Sequence, residues 1–409
     1  MTSEAHTKQM LKPAALNVDI VISGGGLSGC LMALSLCDFK NPDGELLSIA
    51  IIENNPINQG RSLSFDDRVL ALSHGTAAYF AQLGAWEFLQ KDAQPIEKIH
   101  ISDRGHYGKA RLDASTNKVA ALGYVVEMSL IGQALLQALM IKKNITWFTP
   151  DSIATVQWQQ SQVDIALHSG QLLSSQLLLG CDGVNSPCRR LANIESSHSA
   201  YEQSALIANV TTDMAHQNIA YERFTETGPI ALLPLSNNRC SLVWTLTPEL
   251  AGKMQSLDDN AFKIALEHAF GSWLGTITHV GQRHIYPLNL VQAHTQIYHR
   301  MALVGNASHT IHPIAGQGFN LGVRDVQQLA QLIKLAQVKG KDIGGFALLN
   351  QYQQQRSTDQ QQVIRLTDSL VTLFSNQLPP LVIGRNIGLK VLNYLSPLKK
   401  MLVNKTMGY

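Results

Sequence analysis

Val18-Asp19-Ile20-Val21-Ile22-Ser23-Gly24-Gly25-Gly26-Leu27-Ser28-Gly29 is the stretch that decides the fold. The β-branched apolar run from Val18 to Ser23 predicts a strand buried on both faces of a parallel sheet. Gly24, Gly26 and Gly29 follow at once in G-x-G-x-x-G spacing, and Leu27 to Cys37 carries apolar residues at helical spacing. A second apolar run, Ser48 to Ile52, ends at Glu53, which completes a βαβ unit. In such a unit the first glycine makes the turn, the second lets backbone approach a pyrophosphate, and the third lets helix pack on strand. The helix N-terminus adds free N–H groups and the positive end of its dipole. The triplet by itself is also what an ordinary turn uses. Glu53 favours the dinucleotide reading, because an acid there can accept hydrogen bonds from an adenosine ribose and disfavours a 2′-phosphate. Its plain alternative is a solvated strand-end carboxylate.

Outward from this unit, short alternating runs broken by polar turns between about Ile96 and Glu127 predict antiparallel strands and the start of a second lobe. Leu130 to Ile141 reads as a helix, and Leu177 to Gly180 as a strand back in the first lobe. Ala205 to Val210, Ile230 to Leu235 and Cys240 to Thr245 are expected strands of the second sheet. Met301 to Val304 is again a strand. Phe319 to Val338 is a helix whose stripe is Leu321, Leu329, Leu332, Ile333 and Leu335. The glutamine-rich stretch Gln351 to Gln362 reads as a solvated helix.

Bulk properties narrow the function classes. The chain of 409 residues, 45% hydrophobic, is long enough for two lobes. Charged residues make up 15% and the net charge is +2, so no global charge recommends nucleic acid as a partner. The five cysteines, Cys30, Cys37, Cys181, Cys188 and Cys240, lack paired short spacings and read as reduced thiols in a cytoplasmic protein. Met1 to Asn17 lacks the basic and apolar regions of a signal peptide, and no run of about eighteen apolar residues occurs. From Ser369 to Tyr409 there is no acidic residue, and Arg385, Lys390, Lys399, Lys400 and Lys405 interleave with leucines and isoleucines. Such a terminus can make peripheral contact with anionic lipid at the inner membrane, or lie against a partner. Its plain alternative is a helical cover for the first lobe, broken at Pro397.

Two further signatures sit between a strand and a helix. Cys181-Asp182-Gly183-Val184-Asn185-Ser186-Pro187-Cys188-Arg189 follows the Leu177 to Gly180 strand. Gly305-Asn306-Ala307-Ser308-His309-Thr310-Ile311-His312-Pro313-Ile314-Ala315-Gly316-Gln317-Gly318-Phe319-Asn320 follows the Met301 to Val304 strand. Gly316 and Gly318 permit close backbone approach, and the next helix points its positive end at whatever sits there, which suits a reduced flavin. His309 and His312 have no cysteine or carboxylate nearby in sequence, so no metal site is expected. No G-x-S-x-G elbow occurs, which leaves a serine hydrolase unsupported.

Asp182, Gly183, Ser186 and Arg189 resemble the D-G-x-x-S-x-x-R motif of the para-hydroxybenzoate-hydroxylase-like flavoprotein monooxygenases. The Gly305 segment resembles the family's G-D motif, with Asn306 in place of the usual aspartate. The resemblance implies an α/β fold, in which a Rossmann-like FAD-binding lobe carries an inserted mixed β-sheet substrate lobe. It divides the chain into a discontinuous FAD-binding domain at 1–90, 128–190 and 290–345, a substrate-binding domain at 91–127 and 191–289, and a C-terminal helical segment at 346–409. It implies FAD contacts from Gly24, Gly26, Gly29, Glu53, Arg68, Asp182, Gly183, Gly305, Asn306, Gly318 and Asn320. Pro313, Gly316, Gln317 and Gly318 would serve flavin electrostatics. Met128 stands where many relatives carry an arginine at the start of a helix.

One branch is resembled in particular: the ubiquinone-biosynthesis hydroxylases that act on 2-polyprenyl-6-methoxyphenol. Phe65-Asp66-Asp67-Arg68, Glu222-Arg223-Phe224-Thr225, Cys240-Ser241-Leu242-Val243-Trp244 and Gly384-Arg385-Asn386-Ile387-Gly388-Leu389 are among the segments that carry it. The branch implies that NADPH or NADH visits transiently to reduce FAD, and that O2 then gives a flavin hydroperoxide. Oxygen passes from it to a polyprenylated phenol, within or outside a ubiquinone-biosynthesis complex. The resemblance does not identify the group that activates the phenol. Three alternatives stay open: hydroxylation of another ring position, a non-catalytic prenyl-binding protein of the same fold, and an isoprenoid double-bond reductase.

Overall fold

The structure, a computed structural model, describes residues 15–57, 68–311 and 316–374 together with Asn386, Met407 and Gly408. Among these residues three sheets form. The first runs β18 (Ile297–Tyr298), β19 (Met301–Leu303), β11 (Leu172–Gly180), β1 (Leu16–Ser23), β2 (Ile49–Ile52) and β8 (Ile145–Phe148), with β9 (Ile153–Trp158) and β10 (Val163–Leu167) attached through β11. β1 is parallel to both neighbours, with Ile22 opposite Ile51 on one side and Leu179 on the other. Ile20, Val21 and Ile22 are fully buried, as a strand covered on both faces requires.

Helix α1 (Leu27–Leu36) is apolar nearly all round and buried on almost every side, packed against α3 (Met128–Met140) and α7 (Gln317–Val338). Helix α8 (Phe346–Phe374) packs along α7. It is not a wholly solvated helix at the glutamine-rich stretch. Tyr352, Arg356 and Gln360, four residues apart, form a buried face. Hydropathy alone could not show this, because two of the three are polar side chains held by partners on α7.

The second sheet runs β20 (His309–Thr310), β17 (His284–Ala293), β12 (Ser196–Thr212), β15 (Arg239–Leu246), β14 (Gly228–Leu235), β13 (Ile219–Thr225), β5 (Lys98–Asp103) and β6 (Lys109–Asp113), with β16 (Ile277–Val280) on β12. The third is small: β3 (Val69–Ser73), β7 (Gly123–Glu127) and β4 (Gln94–Ile96). The region from Ile96 to Glu127 is therefore not one antiparallel group. β4 and β7 pair with β3, whereas β5 joins the second sheet in parallel with β13. Alternation reveals the period of a strand and says nothing about its partner.

The two faces of the second sheet differ in side-chain size. Leu206, Val210, Leu232, Leu242 and Trp244 pack on Phe262, Leu266 and Phe270 of α6 (Asp259–Phe270), with Ala251 of α5 (Pro248–Ser256). Each of these large side chains contributes about 1.5–3 kcal/mol on burial. The opposite face presents Ala205, Ile207, Ala220, Ala231, Ser241 and Thr245 to a cavity between the sheets.

Candidate cofactor and substrate cavity

That cavity measures about 1110 Å³ and is continuous from the glycine loop after β1 to the small-residue face of the second sheet. It exceeds the roughly 300–1,000 Å³ usual for a small-molecule site, so a dinucleotide and a second molecule can share it.

The three glycines of the first loop do different things. A Cβ at Gly24 would lie 2.5 Å from the Cys181 carbonyl oxygen, and the residue has φ +97°. A Cβ at Gly29 would lie 1.8 Å from the Gly24 carbonyl oxygen. Both positions belong to the packing of loop, helix and strand. Gly26 would meet nothing within 4 Å and lines the cavity. Helix α1 begins there with no side-chain cap and no acidic residue in its first turn, so its leading N–H groups are left for an anion. Glu53 also lines the cavity. Its Oε2 accepts a 2.7 Å bond from the Gly25 N–H, and its Oε1 accepts from the Asn55 N–H at 2.9 Å and the Asn55 Nδ2 at 3.0 Å, which leaves lone-pair capacity on Oε2.

The second loop leaves β11 beside β1. Asp182 Oδ2 accepts from the Cys188 N–H at 2.8 Å, while Oδ1 is buried without a partner among the described residues. Burial raises its pKa. Gly183, at φ +78°, also lines the cavity with open space where a Cβ would stand. Ser186 caps α4 (Pro187–Leu191), accepting from the Arg189 N–H at 3.0 Å. Arg189 is not a surface charge. Its buried guanidinium donates to the Ala307 and Val184 carbonyls, each at 2.8 Å, and so ties the second loop to the third.

The third loop turns at Gly305, φ +59°, where a Cβ would lie 2.8 Å from Ser28 Oγ. Exposed Asn306 lines the cavity beside it. Helix α7 starts two residues before the sequence pattern predicts, at an uncapped left-handed Gly316, and Gly316, Gln317 and Gly318 all line the cavity. Asn320 lines it as well, but its side chain is fully spent inside the protein. Its Oδ1 accepts from the Ser73 N–H and Thr76 Oγ1, and its Nδ2 donates to the Ala71 and Gly316 carbonyls. It fastens the α7 N-terminus to β3 and α2 (His74–Gln82), and its side chain has no valence left for a cofactor. Arg68 lines the cavity with its guanidinium 5.1 Å from the centre of the Tyr286 ring, and Met128 lines it without a charge. Pro313 lies outside the described residues, as do His312 and the Phe65-Asp66-Asp67 segment.

Two groups escaped the sequence reading. Asp325, wholly buried in α7, accepts from the Gly305 N–H (3.1 Å) and His309 Nε2 (2.7 Å) on one oxygen. The other oxygen accepts from Arg356 Nε (2.6 Å) and Gln360 Nε2 (2.9 Å). Burial pushes this carboxyl up, but His309 and Arg356 outweigh it and hold the pKa down at about 2. His309 is thus a packing and hydrogen-bonding residue, and no metal-binding cluster occurs among the described residues. A signal did exist: Asp325 falls between Leu321 and Leu329 at spacing four, an acid in an apolar stripe. The other group is Glu222, on the cavity wall of β13. All five cysteines are free and buried.

Two uncapped helix N-termini, open space at Gly26 and Gly183, and the unpartnered Asp182 oxygen surround one elongated cavity. This suits a group with phosphates at one end and a polar ring system at the other. Comparison with known proteins names that group. A family model described as FAD binding domain matches residues 17–367. The chain is 34% identical to the ubiquinone hydroxylase UbiL of Rhodospirillum rubrum, over 95% of this chain and 89% of that protein. It is 30% identical to the 3-demethoxyubiquinol 3-hydroxylase of Escherichia coli, over 95% and 98%. The fold matches the crystal structure of p-nitrophenol 4-monooxygenase from Pseudomonas putida with a TM-score of 0.77 at 16% identity, over 96% of this chain and 99% of that one. The cofactor is FAD, and the chain belongs to the FAD-dependent aromatic hydroxylases, in the branch that holds the ubiquinone-biosynthesis monooxygenases.

Proposed function

We propose that the chain hydroxylates the ring of a polyprenylated phenol, converting 2-polyprenyl-6-methoxyphenol to 2-polyprenyl-6-methoxy-1,4-benzoquinol with NADPH or NADH as transient reductant and O2 as oxygen source. The observation that carries this reading is the single cavity joining the glycine loops to a wall of small side chains. Bound FAD supplies the redox chemistry and the activation of oxygen. The chain supplies position and field. Gly26 seats the pyrophosphate in a loop whose shape Gly24 and Gly29 set, Glu53 takes the ribose, and Arg68, Asp182, Gly183, Gly305 and Asn306 the remainder. Gly316, Gln317 and Gly318, at the α7 N-terminus, would serve the isoalloxazine, where the helix dipole favours negative charge. Ala205, Ala231, Ser241 and Thr245 leave room for a phenol ring, and Ile96, Ile99, Leu122 and Leu288 offer an apolar path for its tail. That tail gives a reason for contact with a membrane surface or a biosynthetic complex through the basic segment 369–409. Most of that segment lies outside the described residues.

The second reading is hydroxylation at another ring position, favoured by the likeness to the 3-demethoxyubiquinol 3-hydroxylase of Escherichia coli. Quinone-intermediate profiling in a deletion strain separates the two: accumulation of 2-polyprenyl-6-methoxyphenol supports the first, and a demethoxy quinol supports the second. Filling the ring space tests the cavity itself. Ala231→Phe is expected to lower product formation at least about tenfold while flavin absorbance per chain stays unchanged, since the added ring overpacks only the far wall.

A further inference from the structure

Glu222 is a carboxylate on a wall otherwise made of apolar side chains and the hydroxyls of Ser241 and Thr245. On β13 the alternation sends Tyr221 and Arg223 to the helix-covered face, where Tyr221 packs on Phe270 and Trp273, and sends Ala220 and Glu222 to the cavity. The cross-strand neighbours of Glu222 are Ala231 on β14 and Ile101 on β5, neither of which can hydrogen-bond through its side chain. The row continues from Ala231 through Val243 to Ile207. No hydrogen bond or ion pair holds the Glu222 side chain among the described residues, and other carboxylates near the cavity, Glu53 and Asp182, are tied to backbone N–H groups.

We propose that Glu222 takes the proton of the substrate's phenolic hydroxyl; this rests on the reading of the substrate given above. The phenol O–H bond breaks, a carboxyl O–H bond forms on Glu222, and the electron pair stays on the phenol oxygen. The phenolate so formed is richer in electrons at its ortho and para carbons, the positions a hydroxylase attacks. When the product ring regains aromaticity, the proton returns from the carboxyl to the phenolic oxygen. No additional oxidant or reductant is needed for either transfer.

The surroundings suit the task. Burial raises the Glu222 carboxyl to about 7, close to the pH at which a base must be both ionised and able to take a proton. The ionisable groups that share its face are few. Asp103 lies diagonally on β5, His284 ends the row on β17, Tyr286 follows His284 on the same face with Arg68 over its ring, and Arg239 stands farther along β15, paired with Glu127. Arg111 and Lys109 on β6 and Arg223 on β13 belong to the opposite face.

The test uses FAD-loaded full-length protein with 2-geranyl-6-methoxyphenol as probe, reading single-turnover product from about pH 5 to about pH 9. Wild type is expected to rise through an inflection near about 7 and level off. Glu222→Gln is expected to lower the plateau about 100-fold and remove the inflection, with flavin bound as in wild type. Glu222→Asp, which keeps a carboxyl, should retain an inflection, and it decides the matter if the glutamine variant fails to hold flavin. A glutamine variant within about threefold of wild type with the same inflection overturns the proposal, as does an equal slowing of both variants with the inflection intact. If wild type holds FAD yet forms no product from any ring isomer of the probe, the substrate reading itself has failed, and the role of Glu222 falls with it.

Discussion

Asp325→Ala is expected to destabilise the folded protein by about 3–5 kcal/mol, the cost of breaking a buried ion pair and leaving Arg356 with Asp359 as its one carboxylate partner among the described residues. Arg356 and His309 meet at this carboxylate from α8 and β20, and Gly305 and Gln360 donate to the oxygens that remain. Removal strands all four donors at once. Urea unfolding of the FAD-free protein measures the loss without the contribution of a bound ligand. A change below about 1 kcal/mol would mean that the neighbours find other partners.

The same group sets an acid limit. Its native pKa, about 2, lies below the usual aspartate value of 3.8, so its stabilisation is complete above about pH 4 and disappears as pH falls through about 2. The shift is worth on the order of 2 kcal/mol. The difference in stability between wild type and Asp325→Ala should therefore shrink across that window.

Gly26→Val should remove FAD binding while sparing the fold. The residue sits at φ −70° and ψ −170°, a backbone conformation open to any side chain, and an added Cβ meets no atom of the described residues within 4 Å. The branched side chain instead occupies the space before the α1 N-terminus, where the pyrophosphate is expected. Flavin affinity is expected to fall by more than about 100-fold, with urea unfolding of the FAD-free form changed by less than about 1 kcal/mol. Gly29→Ala supplies the contrast. Its Cβ would stand 1.8 Å from the Gly24 carbonyl oxygen, so loop and helix must separate, and both flavin and stability should be lost. If Gly26→Val retains flavin at wild-type affinity, the dinucleotide does not pass over this loop.

Much of this was legible in the chain before any coordinates. The βαβ unit, the three glycine-bearing loops and the helix after Gly316 follow from local pattern, because period, turn chemistry and helix starts are properties of neighbouring residues. The resemblance carried the FAD family, and the relatives bear it out. Several roles were not legible. Asn320, expected as a cofactor contact, lines the cavity and fastens the α7 N-terminus to β3 and α2 through its side chain. Arg189 looked like a motif residue, and it is buried and braces Ala307. The Gln351 to Gln362 stretch looked solvated and buries Arg356 and Gln360 against Asp325.

By itself the sequence determined the kinds of elements and the chemistry placed at their ends, since a strand-glycine-helix junction fixes free N–H groups wherever it lies in the molecule. Tertiary structure alone decided which polar groups are spent and which are left over. Asp325 and Asn320 are saturated because segments far apart in sequence, 73–76 and 356–360 among them, fold back upon them. Among the described residues Glu222 has no partner, because β5 and β14 put isoleucine and alanine on either side of it. Hydrogen-bond satisfaction is a property of long-range pairing, and nothing local to an aspartate, an asparagine or a glutamate encodes it.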